Sequence, residues 1–515
     1  MKKAIYLIIA LIGLSAPSCS DSMLDFSPTD SGSGKELLKS ASTAITSVNG
    51  VYRSMWTAGW STTGNTHQCF GIAAYNLALD VMADDLIMQS QGNGWFWGDH
   101  CYNVKSNYTS SAFRSYDVWY ANYKWIANVN YIIDAEPEMA GTEADVAYVA
   151  GQAYAIRALC YLNLATWFSR APYNSLTGAS RWNEPCVPVY TTGTSIDTGG
   201  QPRESLRTVY GRIDQDIDLL EKARETTLAE NNKSHINLYV ALGIKSRACL
   251  AEGDWDGAFK AAKRVIDEGG YAVGTKSDLT GGMNSLDKQN VMWGAGIQVA
   301  DQAGGYAGFF THMDNKEGAY AKSAPKLISK QLYNRISATD IRRDWWDPSD
   351  KESPYVSKKF SFANVASFLG DYIYMRVEEM YFTAAEAALR LDDLKSAREL
   401  MNTVMAERDP GYSANNRSGT LLGATTTTWT GSFLENILTH RRIELWGEYG
   451  RLFDVRRLGQ GIDRRTDDGF SEECISMMNR RNVNITKADT YDWVLTIPKA
   501  ELDANPNINE EDQNP

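Results

Sequence analysis

Histidine is scarce in this chain, with five in 515 residues. No His-Glu-x-x-His pair and no Gly-x-Ser-x-Gly turn occurs, which removes two common hydrolase signatures. Glycine is plentiful, yet Gly294, Gly296, Gly304 and Gly305 lack the spacing of a phosphate-binding loop. Basic residues are outnumbered: 51 Lys and Arg face 63 Asp and Glu, for a formal charge of −12. A nucleic-acid partner calls for the opposite sign, because phosphates must be neutralised. Seven cysteines are too few and too irregular for a disulfide scaffold. Cys160 and Cys249 fall in apolar helical patterns and read as small core residues. His67 with Cys69, and His100 with Cys101, lack the ligand spacing of a zinc knuckle. A Cys69–Cys101 disulfide, or no relation, are the readings left for them. The adjacent acids Asp84 and Asp85 cannot face each other across a scissile bond, so they read as solvated.

Long apolar runs are also missing after the first few residues. At the N-terminus, Lys2 and Lys3 precede an apolar run from Ala4 to Leu14, then small residues to Ser18 and Cys19. That run is too short to span a bilayer and has the flanks of an export signal. Cleavage before Cys19 with lipid on its thiol is the expectation, leaving the chain anchored by acyl chains. Ala16 and Pro17 are unusual in such a signal, and an ordinary secretory leader is the alternative. Residues 19–34 are polar and rich in Ser, Gly and Asp, a flexible tether.

From residue 35 onward the period is mostly helical. Helical hairpins are expected at about 116–168, 204–268, 372–408 and 432–458. Segments at about 59–110, 269–370, 411–431 and 460–515 are loop-rich. Long irregular segments in a compact protein commonly carry function. The chain also matches itself: Ala248, Leu250, Asp254, Ala258 and Val265 align without gaps to Ala387, Leu389, Asp393, Ala397 and Val404. Both segments read as helix, tight turn, helix, with small residues at the crossing, as in tetratricopeptide hairpins. Such hairpins bury their apolar faces by stacking. Near the end, Arg441, Glu444, Glu448 and Arg451 follow a helical spacing on one face. They read as a structural ion network rather than an active site.

Six motifs in order carry a resemblance. They are Cys19 to Asp30; Trp119 to Asp134; Gly151 to Tyr173 with Arg157, Ala158, Tyr161 and Leu164; Arg376 to Leu389; His440 to Gly459; and the closing Ile497-Pro-Lys-Ala-Glu501 with Gln513-Asn514-Pro515. Together the chain resembles the SusD/RagB-like surface lipoproteins of Bacteroidetes nearly end to end. The resemblance implies a mostly helical fold of four tetratricopeptide-like hairpins supporting an irregular face. It implies an outer-membrane location, oligosaccharide or sometimes peptide binding, and no catalysis or cofactor. It also implies a SusC-like TonB-dependent barrel as partner.

No motif of the family fixes ligand residues, so candidates come from chemistry. Fifteen tryptophans are many for this length. Trp119 and five others lie in helical patterns, where packing explains them. The remainder lie in irregular segments, where a flat ring can stack on the C–H face of a sugar while amides and acids meet its hydroxyls. Asn93, Trp95, Trp97 and Asp99, on a glycine-rich stretch, form one candidate set; Tyr306, Phe309, Phe310 and Tyr320 form a second. Anchoring of loops to the core is the competing explanation for such rings. An interaction module that binds peptides, or serves only as a transporter lid, is the alternative function.

Overall fold

The computed structural model describes residues 34–57, 65–102, 113–195, 197–220, 232–299, 307–415, 431–487 and 490–515. Cys19, the leader, Trp60, Tyr306 and Trp429 lie outside them. The fold is mostly helical. Its longer helices are α1 (Ala41–Ser54), α2 (Ile72–Val81), α3 (Phe113–Ala135), α4 (Glu143–Phe168), α5 (Leu206–Leu220), α6 (Leu238–Glu252), α7 (Trp255–Glu268), α8 (Val377–Arg390), α9 (Leu394–Met405), α10 (Phe433–Glu444), α11 (Arg451–Leu458) and α12 (Glu472–Arg480). Consecutive helices pack on one another from α3 through α9, and α10 lies on α8. Helix α4 starts where the Thr142 hydroxyl accepts the Asp145 N–H. Its buried Ala150, Ala153, Ala155, Ala158 and Ala165 let α3 and α5 close on both sides.

Short strands tie the loop-rich part to the helices. They are β1 (Leu86–Met88), β2 (Val291–Ala295), β3 (Lys326–Ile328), β4 (Trp346–Asp347), β5 (Val356–Ser357) and β6 (Tyr372–Arg376). Antiparallel pairing gives one sheet in the order β1-β3-β5-β4, with Leu86 opposite Ile328, and a second of β2 with β6. Strand β6 runs straight into α8, so the irregular segment before it enters the helical stack without a linker. Within the stretch read as loop from 59 to 110, Ile72–Val81 is a helix buried along its whole length.

The internal self-match is a match of turns. Gly253 and its counterpart Asp392 both take left-handed backbone, at φ 73° and 62°. One residue on, Asp254 and Asp393 donate their N–H to Cys249 O and Ala388 O, each at 2.9 Å. Their carboxylates then cap α7 and α9 by accepting from Gly257 and Ser396 N–H, each at 3.0 Å. A side chain at 253 would press on the Tyr173 ring at 2.4 Å, so glycine is required there for space as well as for φ.

The charged signature after His440 is not one helix. Helix α10 ends at Glu444, and Gly447 (φ 74°) and Gly450 (φ 26°) turn the chain before α11. The four charges therefore point to different partners. Glu444 accepts from Arg376 (2.9 Å), Arg408 (2.9 Å) and Arg342 (3.0 Å), while Glu448 binds Arg376 (2.6 Å) and Lys359 (2.5 Å). Glu378 and Asp340 complete a buried set of four cations and four acids. Arg441 pairs with Asp454 (2.8 Å), and Arg457 joins Asp454 (2.7 Å) to Glu386 (2.8 Å). Burial alone would raise the Glu444 carboxyl, but Arg408, Arg376 and Arg342 hold it well below the usual range.

Asp84 and Asp85 also differ from expectation. Both are buried: Arg451 meets Asp84 at 2.9 Å and Asp85 at 3.2 Å, and Arg442 pairs with both acids. They are neutralised structural acids, fixed before α11 by charge rather than hydrated.

Candidate functional site

The glycine-rich candidate stretch folds as a tight, strained loop. Gly92 (φ 51°) and Gly94 (φ 88°) take left-handed backbone, and so does Phe96 (φ 61°). Gly92 has no room for a β-carbon, which would meet Ser323 O at 2.6 Å. Such conformations persist only where surroundings enforce them. Here the Phe96 N–H donates to Gln68 Oε1 at 2.8 Å, and its ring is fully buried under the Arg114 guanidinium at 5.3 Å. Arg114 in turn grips Asp99 with both Nε (2.8 Å) and Nη2 (3.0 Å) and donates to Gln68 O at 3.2 Å. Asp99 is thus the anchor of the loop, with both carboxylate oxygens engaged. It is not a ligand for hydroxyls.

The left-handed Phe96 sends its two flanking tryptophans to different environments. Trp97 enters the core at 3% exposed. Trp95 stays at the surface, half-buried, with its ring stacked on His67 (5.0 Å, 27°) and edge-on to Tyr320 (6.1 Å, 63°). The stack is fixed from below: Tyr320 OH and His67 Nδ1 are 2.6 Å apart, and His312 Nε2 lies 2.6 Å from His67 O. Burial pushes the His312 ring well below its ordinary pKa, with Lys326 adding to the effect, so it is neutral at physiological pH. A neutral His312 can donate from Nε2 to that carbonyl. Exposed Asn93 and Gln91 stand beside Trp95 on the same loop.

The second candidate set is mostly interior. Phe310 (1% exposed) and Phe309 (9%) pack among Phe360, Phe362 and Tyr372, and Tyr320 (7%) packs against His312 and His67. Rings sunk this far have no free face for a sugar, which corrects their reading as ligand contacts along with those of Trp97 and Asp99. Tyr320 keeps a supporting role under Trp95. The sequence pattern gave no sign of His67 or Arg114 as the parts that hold the platform, since neither lies in a motif.

Two family models match the sequence. Residues 321–515 match one described as the SusD family, and residues 61–250 match one described as starch-binding and associating with the outer membrane. The chain belongs to the SusD family. No curated protein matches it. Among solved structures, a SusD-like carbohydrate-binding protein from Bacteroides vulgatus is 24% identical, with a TM-score of 0.73 over 92% of this chain and 98% of that one. A SusD superfamily protein from Bacteroides thetaiotaomicron is 22% identical, with a TM-score of 0.74 over 92% and 100%. Surface glycan-binding protein A from Bacteroides thetaiotaomicron is 16% identical, with a TM-score of 0.67 over 93% and 99%. These likenesses establish the fold.

In this SusD-family chain the four residues weighed for zinc do not converge. His67 supports Trp95, while His100 Nδ1 lies 2.8 Å from Val81 O. Cys69 and Cys101 are both buried, and the thiol of Cys101 neighbours that of Cys474. One other group, Cys249, Glu252 and Asp254, brings its ligand atoms within 4.8 Å of one another. Burial together with Asp214 and Asp254 pushes Glu252 up to about 8, so it is largely protonated at neutral pH, and Asp254 is engaged as the α7 cap. No helix among the described residues is long and apolar enough to cross a membrane.

Proposed function

We propose that this chain is a non-catalytic glycan-binding lipoprotein, held at the outer membrane by lipid on Cys19, which captures oligosaccharides for import through a SusC-like TonB-dependent barrel. The observation that carries the reading is the Trp95 platform. A large ring is held at the surface against His67, with exposed amides of Asn93 and Gln91 beside it. Its rigidity comes from groups with no part in contact: the Arg114–Asp99 pair beneath the loop and the His67–Tyr320 bond beneath the ring. A preformed platform loses little freedom on binding, so stacking and hydroxyl hydrogen bonds are retained as affinity. The carbohydrate and glycan binding named for the similar solved proteins supports the same ligand class.

Affinity electrophoresis across a panel of neutral polysaccharides tests the reading, with Trp95→Ala alongside. Retardation of the parent chain by at least one glycan, weakened in the variant, is the expected result. Unchanged migration with every glycan would reject it in favour of a peptide-binding or lid-only role. Co-purification with the barrel from membranes, lost in Cys19→Ala, tests the anchoring and the partner.

A further inference from the structure

Helix α3 carries a second group of rings that the Trp95 platform does not use. Tyr116, Trp119, Tyr120 and Tyr123 recur at i, i+3, i+4 and i+7, so they share one side of the helix. Trp119 turns toward the core, 6% exposed and edge-on to Phe168. The three tyrosines remain half-buried and form one wall of a cavity of about 540 Å³. That size falls in the usual range for small-molecule sites. Tyr116 and Tyr120 lie nearly parallel, 5.6 Å apart at 11°, one helical turn from each other.

The walls are held by interactions that do not fill the cavity. Trp119 Nε1 donates to Glu501 Oε2 at 3.3 Å, and Tyr123 OH donates to Pro188 O at 2.7 Å. Asn130 Nδ2 fixes the opposite loop through Tyr190 O (3.1 Å) and Thr192 O (2.9 Å). Asn505 Nδ2 holds Glu501 Oε1 at 2.7 Å from the other side. The rim bears the hydroxyls of Thr194, Ser195 and Thr198. Among the described lining residues there is one cation, Lys124, set over the Tyr120 ring at 5.6 Å, and one carboxylate, Glu501. Opposed charges in equal number favour a neutral occupant, since a charged one meets repulsion from one of the two. A peptide would bring a row of backbone N–H and C=O groups to a wall that is mostly ring surface, leaving them poorly paired. A pyranose has the matching surfaces: a C–H face for the tyrosines and hydroxyls for the threonine and serine rim.

We propose that this cavity is a second saccharide site, for a short neutral oligosaccharide, separate from the Trp95 platform. It rests on the saccharide-binding reading for its ligand class, but none of its lining residues belongs to that platform. Two sites on one chain would let it hold a long glycan at two points, raising overall affinity when both are engaged.

Calorimetric titration of the full chain with maltohexaose, xylohexaose and mannohexaose tests this. The variants are Tyr116→Ala with Tyr120→Ala, Thr198→Val from the opposite rim, and Trp95→Ala. The expected result is a two-site isotherm for at least one sugar, reduced to one site by the double tyrosine change, with the lost site weakened about tenfold or more. Thr198→Val should weaken the same site without touching α3, which guards against a folding artefact in the tyrosine variant. Circular dichroism confirms that each variant is folded. Binding abolished by Trp95→Ala but unmoved by the tyrosine and threonine changes would overturn the second site and leave the platform standing. The reverse pattern would overturn the platform and support the cavity. No binding of any of the three sugars, or capture of an apolar peptide in their place, would overturn the cavity proposal.

Discussion

The charged cluster around Glu444 and the rings around Trp95 are each dense groups of one residue class. They end on opposite sides of the surface. Around Glu444 every guanidinium and carboxylate of the set finds a partner, most of them from another segment, and the set is buried. Around Trp95 most rings are equally sealed, as Trp97, Phe309 and Phe310 show, and one indole is left at the surface. What separates the structural group from the proposed binding group is therefore ring surface left exposed rather than residue type. A satisfied network has nothing further to offer a ligand. A half-buried ring on a rigid seat does.

The sharpest way to break this comparison is to damage each side and ask which property moves. Glu444→Ala leaves Arg342, Arg376 and Arg408 buried without their shared acid, and it should cost about 3–5 kcal/mol in urea unfolding. Acid should act on the same set and on the buried Arg457–Glu386 pair. Burial opposes their charge, but the guanidiniums win, so Glu444, Glu448 and Glu386 carry carboxyls below their ordinary values. A lowered folded value adds stability that is full above the unfolded carboxylate pKa, about 4.3, and is lost as pH falls through the folded one. The thermal midpoint should thus fall steeply from about pH 4.5 downward.

Trp95→Ala should do the reverse. Glycan affinity should drop about tenfold, near 1.4 kcal/mol, while the urea midpoint stays within about 1 kcal/mol of the parent. Parent-like affinity with a collapsed midpoint would make Trp95 another packing residue.

A smaller effect sharpens the idea that buried acids differ by their partners. Asp80 accepts the Arg451 N–H at 2.6 Å through Oδ1 and, unlike Glu444, is pushed up to about 8, chiefly by burial. A raised folded value gives stability that is full below the unfolded pKa and lost as pH rises through about 8. Asp80→Asn keeps the acceptor without the charge, so it should stabilise by about 1 kcal/mol at pH 9 and by little at pH 4. Denaturant midpoints at the two values check it. Smallest of all, Asp392→Gly should gain a few tenths of a kcal/mol by relieving the left-handed turn, whereas Gly253→Ala should lose about 1 kcal/mol or more against Tyr173.

Much of the helical stack was readable because its helices have two kinds of face. Ala258 and Val265 in α7, and Ala397 and Val404 in α9, mark one buried face each, and Asp254 and Asp393 announce equivalent caps. Helix α2 was illegible for the opposite reason: from Ile72 to Val81 every residue is buried, so no polar stripe sets the period. The break between α10 and α11 was masked by charges whose spacing runs through it. Gly447 and Gly450 were the available signal. At the platform, composition located the loop but not its sidedness, which hangs on the left-handed Phe96 and on an arginine in a different helix. The ring set on α3 was visible at helical spacing as Tyr116, Trp119 and Tyr123, a pattern that core packing alone would explain.

The pairing of Asp85 with Arg442 spans 357 positions. While the polypeptide is being made, the early acids leave the ribosome long before their cations exist. The first half must then wait, incompletely compensated, for the last hundred residues to arrive. Folding of this molecule is for that reason closed from its tail, and a truncated product should be caught by chaperones and proteases rather than persist as a stable half.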